Sequence, residues 1–232
     1  MTTFVAIHGA FRGGWSFAPL RSEMVRRGHE MFTPSLTGMG DRAHLRLAPL
    51  GLDVWVHDIA SLLASFDLRE VVLIGHGDGG LVAAATAERH PERIRSIVYL
   101  DAPIALPGER RVDLNPGGAP TNLPPSNAWL PYNPIEDAAG LSADLLEWIN
   151  DRLCATPFGP SLDVVVHQDP KHPYFPVFFD RTPQDSAAAV TRARMEAEGF
   201  SVGSLDLPHD GQLSAPLAVA ALLEELAALG LE

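Results

Sequence analysis

The stretch VVLIGHGDGGLVAAA, residues 71–85, decides the fold. Its first four residues, Val71 to Ile74, are all apolar, as in a strand buried on both faces of a parallel sheet. The turn Gly75-His76-Gly77-Asp78-Gly79 follows, then a helical pattern over residues 81–89 that His90-Pro91 closes. The centre of the turn is Gly77, which has no side chain.

Outward from this unit, short apolar runs alternate with helical patterns. Residues 4–7, 30–33 and 97–100 read as strands. Residues 15–27 form a helical pattern that stops at Gly28. Residues 53–66 form another, with Asp53 placed to cap it. This alternation predicts an α/β fold with a doubly wound, mostly parallel sheet. The pattern breaks between 103 and 173, a stretch crowded with Pro and Gly (NPGGAP, NLPPSN, LPYNP) that holds one helical run, 142–153. An insert this long inside a compact domain is expected to be a functional lid. Strands at 177–180 and 201–205 and helices at 186–198 and 215–229 then complete a single domain spanning 1–232.

The 232 residues suffice for one full core, and a hydrophobic fraction of 46% with 20% charged residues suits a globular enzyme. A net charge of −12 argues against nucleic acid, which demands clustered Lys and Arg. No apolar run is long enough to cross a membrane, and the N-terminus lacks the pattern of a secretory signal. The one cysteine, Cys154, excludes an internal disulfide and fits a cytoplasmic location. A small-molecule substrate is therefore the expected partner, with neither nucleic acid nor membrane, and a homodimer is left open.

Four motifs resemble the α/β-hydrolase superfamily, and within it the subgroup of small esterases and hydroxynitrile lyases. They are His8-Gly9-Ala10-Phe11 with Gly13-Gly14-Trp15, the turn Pro34 to Arg42 (PSLTGMGDR), the elbow at Gly77, and His209 followed by Leu213-Ser214-Ala215-Pro216. In that family the elbow reads G-x-S-x-G and carries a nucleophilic serine; this chain departs from it at Gly77.

The resemblance implies roles for further residues. His209 matches the family's catalytic histidine. The acid that orients it is expected after the strand at 177–180, as Asp185 by spacing or alternatively as Asp180. Oxyanion donors are expected from the amides of Asp78 and of Ala10 or Phe11. His76 and, from the insert's composition rather than the resemblance, Trp129 and Trp148 complete the substrate-binding candidates; insert aromatics are more often packing than site, but an apolar insert suggests an apolar or aromatic substrate. His167, Asp169 and His172 match no strong metal-ligand spacing, so neither metal nor cofactor is expected.

Gly77 thus implies an enzyme that keeps a His–Asp acid/base pair and an oxyanion hole but lacks the serine nucleophile. The chemistry open to it is elimination, decarboxylation, cyclisation or water-mediated hydrolysis of a small carbonyl or ester compound. Three other readings stand beside it. One is a carboxylesterase inactivated by loss of the serine at 77. Another is a non-catalytic ligand-binding protein. The last is an NAD(P)-binding oxidoreductase, because Gly75-x-Gly77-x-x-Gly80 follows a strand and Asp101 stands at about the right distance to hold a ribose.

Overall fold

The computed structural model describes residues 1–46, 50–136, 140–165 and 172–229. Its main sheet contains β1 (Thr3–Ile7), β2 (Glu30–Phe32), β3 (Val71–His76), β4 (Ile94–Leu100), β7 (Tyr174–Phe179) and β8 (Gly203–Leu205). The spatial order is β2-β1-β3-β4-β7-β8, and every neighbouring pair is parallel. The predicted doubly wound α/β sheet is the one observed.

Alternation along each strand divides the core into two layers. Val5, Ile7, Val71, Leu73, Ile97 and Tyr99 pack on one face under α2 (Leu52–Ser65) and α3 (Gly79–Arg89). Phe4, Ala6, Val72, Ile74, Val98 and Leu100 pack on the other, under α1 (Ala18–Arg26) and α7 (Pro216–Leu229). Both faces of β1, β3 and β4 are therefore covered, which is why their sequences are apolar at consecutive positions.

Strand order reverses at β1, which lies between β2 and β3. The loops leaving the C-terminal ends of β1 and β3 splay apart at such a switch point and leave a crevice where ligands bind in open α/β sheets. The β1 loop carries His8 to Gly14; the β3 turn carries Gly77.

Several boundaries differ from the sequence reading. β7 begins at Tyr174 and includes Pro176, which pairs with Tyr99 of β4; the β8 ladder starts only at Val177. The N-cap of α2 is Gly51, not Asp53. The Leu52 amide donates instead to Asp163 Oδ2 at 2.6 Å, while Asp53 pairs with Arg89. Ser186 caps α5 (Ala187–Ala197) by accepting from the Ala189 amide. A short helix, α6 (Gly211–Ser214), follows His209, ahead of the final helix expected from 215.

Between β4 and β7 the described residues hold little regular structure. They include the two-residue antiparallel pair β5 (Trp129–Leu130) and β6 (Thr156–Pro157), and α4 (Ala143–Asn150), capped by Ser142. No described helix is long and apolar enough to cross a membrane.

Candidate active site

The β3 turn is built from close backbone contacts. A Cβ on Gly75 would lie 2.5 Å from Gly80 Cα, and one on Gly79 would lie 2.2 Å from Ile7 O. These two positions exclude side chains, so the turn can enter α3 while pressed against β1. Gly77 is different. Its φ is +51°, and the nearest atoms a Cβ there would meet outside the adjoining residues are Gly9 Cα at 3.5 Å and His209 Nε2 and Cε1 at 3.5 and 3.6 Å. The crevice thus has room for a side chain beside the imidazole, and the backbone already adopts the left-handed conformation that glycine takes without strain.

His209 sits on the loop between β8 and α6. Its Nδ1 is 2.5 Å from Asp101 Oδ2. With Nδ1–H donating to the carboxylate, the Nε2 lone pair faces the space over Gly77. Asp101 directly follows β4, at a φ of +47°, and is 1% exposed. Its Oδ1 accepts from the Phe179 amide at 3.1 Å and its Oδ2 from Thr182 Oγ1 at 2.5 Å. Burial opposes ionisation of Asp101, but the bond and charge of His209, with the Thr182 and Phe179 donors, hold it below the usual carboxylate range. Burial likewise opposes a charged His209, yet the hydrogen bond and charge of Asp101 raise its pKa.

The expected acids are therefore corrected. Asp185 lines the same cavity but forms no hydrogen bond to His209, and Asp180 is drawn outward to Arg192 Nη1 at 2.7 Å. Asp101 takes the position because the end of β4 is adjacent to β7, whose Phe179 amide fixes the carboxylate. In the sequence Asp101 stands directly after an apolar strand, a signal that by spacing alone points only to a ribose ligand. A buried carboxylate already bonded to His209, Thr182 and Phe179 is not available to a ribose.

Two supports hold this loop. Arg12 donates from Nε and Nη2 to the two carboxylate oxygens of Asp210 at 3.0 and 2.7 Å, tying the β1 loop to the residue next to His209. Burial opposes the Asp210 charge, but the Arg12 charge and hydrogen bonds hold its pKa far below the usual range. His76 lies beneath, fully buried, and donates from Nε2 to the His209 carbonyl at 2.7 Å with the two rings 4.4 Å apart. Burial, with the charge of His209, lowers its pKa to about 3, so the ring is neutral. His76 is thus a support of the His209 loop rather than a wall of the cavity. His8 pins the β1 loop in turn: Nδ1 donates to Gly9 O and Nε2 accepts from the Leu36 amide. Sequence reasoning missed the Arg12–Asp210 pair.

The cavity above Gly77 measures about 440 Å³, and its wall includes Ala10, Phe11, Asp78, Asp101 and His209. No hydrogen bond within the described residues uses the amides of Ala10, Phe11 or Asp78. Phe11 has a φ of +62°, an unusual conformation for a non-glycine residue. Trp129 and Trp148 do not line this cavity. Trp129 packs over Gly38 with Arg46 on its face, and Trp148 sits edge-on to Trp15 with Arg152 over its ring. Both are packing residues of the insert. Among the described residues no group of three or more His, Cys, Asp or Glu could hold a metal ion; His167 and Asp169 lie outside them.

The chain matches the alpha/beta hydrolase family profile over residues 4–222. It belongs to that family. Among curated relatives, this alpha/beta hydrolase is similar to a carbendazim hydrolyzing esterase from Nocardioides sp. (strain SG-4G), 37% identical over 123 residues, 53% of this chain and 51% of the relative. It is also similar to a pyrethroid hydrolase from Sphingobium wenxiniae, 28% identical over 146 residues, 62% of this chain and 51% of the relative. The matches span about half the length of these relatives. Among solved structures it superposes on tomato methylketone synthase I complexed with 2-tridecanone, with a TM-score of 0.78, 19% identity and 98% of each chain covered. An extracellular α/β-hydrolase from a Paenibacillus species gives 0.78 and 18%, with 97% of this chain and 98% of that chain covered. At these identities the solved structures speak for the fold alone.

Proposed function

We propose that this family member hydrolyses neutral acyl compounds, esters or carbamates, by a water that His209 activates, without a covalent intermediate at residue 77. The observation that carries this reading is the Gly77–His209 geometry: a Cβ at 77 would lie 3.5 Å from Nε2, so a water beyond Gly77 falls within reach of the base. That water attacks the carbonyl carbon and passes its proton to Nε2. The oxyanion that forms is held by the Asp78 amide and by that of Ala10 or Phe11, and removal of one such donor typically costs about 3 kcal/mol. His209 then returns the proton to the leaving oxygen, and Asp101 stabilises the imidazolium between the two steps.

Charge favours a neutral substrate. The cavity wall holds two arginines, Arg12 and Arg111, against the aspartates 78, 101 and 185. Asp210 engages Arg12, and Asp78 engages Arg111, so neither arginine is left as an unpaired anion site. The esterase and pyrethroid hydrolase relatives support a hydrolytic reaction.

Decarboxylation is the second reading. One structural neighbour is a methylketone synthase whose variant holds β-ketoheptanoate. His209 could protonate the enolate that follows loss of CO₂, but the wall offers such an acid no free cation among the described residues.

The test is hydrolysis of neutral aryl esters and carbamates by the intact protein and by His209→Ala. Turnover that falls about 10²-fold or more in the variant supports the reading. Absence of turnover on the whole panel, or release of CO₂ from β-keto acids alone, overturns it.

A further inference from the structure

A second, smaller cavity of about 180 Å³ adjoins the first. Its wall is largely apolar, with Leu52, Trp55, Leu81, Val112, Leu130 and Phe158. Five residues line both cavities: Ala10, Phe11, Asp78, Arg111 and Asn115. The wall common to the two spaces thus contains an ion pair.

Its geometry is specific. Arg111 Nε donates a short hydrogen bond to Asp78 Oδ1, and Arg111 Nη1 donates to Asn115 Oδ1 at 2.8 Å. Asp78 follows Gly77 directly and holds the N-cap position of α3, its side chain making no cap bond, so the elbow backbone fixes where the carboxylate starts. Arg111 opens a 3-10 turn, Arg111–Leu114, and Asn115 follows it. The pair is about one-fifth exposed, 22% for Asp78 and 21% for Arg111. Asp78 Oδ2 and Arg111 Nη2 make no hydrogen bond within the described residues, and neither atom is sealed from solvent. One acceptor and one donor therefore remain without a protein partner among the described residues, on two side chains that line both cavities.

We propose that the Asp78–Arg111 pair determines specificity by reading an N–H group bonded to an acyl carbon. The ligand N–H donates to Asp78 Oδ2, an oxygen of the ligand accepts from Arg111 Nη2, and its apolar arm occupies the smaller cavity. The pair is neutral as a unit. It matches a neutral dipolar group, whereas an anion would face Asp78 and a cation would face Arg111. A plain ester can use only the donor half and leaves the carboxylate unanswered, which an N–H-bearing carbamate or anilide does not. This inference rests on the neutral-acyl reading above and narrows its substrate class to acylated amines and N–H carbamates.

The experiment compares two ligands of nearly the same shape, N-phenylbutanamide and 1-phenyl-2-pentanone, which differ in one N–H replaced by CH₂. Calorimetry on the intact protein is expected to show the amide bound about tenfold tighter or more, the size of one charge-assisted hydrogen bond. The preference should shrink to about twofold or less in Asp78→Ala, which removes the acceptor. Arg111→Met should weaken both ligands by a similar factor, because both present the carbonyl oxygen. The wild-type comparison needs neither variant to fold. Equal binding of the two ligands by the wild type, no binding of either, a preference that survives in folded Asp78→Ala, or a folded Arg111→Met that binds both as tightly as the wild type overturns the proposal. The measurement needs no turnover. An intact preference with no hydrolysis on any substrate would therefore sink the hydrolytic reading while leaving the pair's role standing.

Discussion

His209 and Asp101 are 108 positions apart in the chain, yet Nδ1 and Oδ2 meet at 2.5 Å. The contact joins the end of β4 to the loop after β8 across the end of β7. It sets the imidazole tautomer and therefore determines which nitrogen faces Gly77.

Asp101→Asn tests that role. A general base must be unprotonated, and the raised pKa of His209 places the rising limb of kcat/KM above the ordinary histidine value. Removing the carboxylate charge takes away what opposes burial. The limb is expected to shift to lower pH, with the plateau reduced about 10²-fold or more. A pH–rate profile of both proteins reads both effects; an unmoved limb contradicts the pairing.

Gly77→Ser is expected to fold. No atom outside the adjoining residues lies closer than 3.5 Å to the new Cβ. A non-glycine residue at φ +51° costs roughly 1–2 kcal/mol, so the melting temperature should fall by a few degrees. The hydroxyl would stand beside His209 Nε2, and stopped-flow measurements with aryl esters should show a burst of one equivalent per site that the wild type lacks.

Arg12→Met leaves Asp210 buried without its partner. The predicted loss is about 3–5 kcal/mol, read from urea denaturation. Adding Asp210→Asn should recover part of it, because the unpaired charge is then gone. Two additive losses would show that the pair does not act as a unit.

Acid should destabilise the fold before carboxylates protonate. Burial lowers His8 to about 4 and His76 to about 3, both from an ordinary 6.5. Between these values and 6.5 the unfolded chain binds protons that the folded chain refuses, so stability falls as pH falls. Melting temperatures measured from pH 7 to 4 should drop, and the slope should flatten in His76→Gln.

The sheet was legible because β1, β3 and β4 are apolar on both faces, and the elbow because glycines 75 and 79 are required by backbone contacts. That His209 stands beside the elbow was legible from its motif. Its carboxylate partner was not, because Asp180, Asp185 and Asp101 each follow a strand or precede a helix. Only the fold reveals that Arg192 takes the first and that Phe179 and Thr182 fix the last. Trp129 and Trp148 looked like substrate contacts on composition, but their rings are used by Arg46, Trp15 and Arg152. The Arg12–Asp210 and Asp78–Arg111 pairs link distant loops and leave no periodic trace.

The proposed chemistry at Gly77 leaves the protein unacylated. Intact-protein mass spectrometry during steady turnover of an aryl ester is the decisive check. The expected result is an unmodified mass while product accumulates, with turnover lost in His209→Ala. An acyl adduct that forms and decays at the turnover rate would rule the mechanism out.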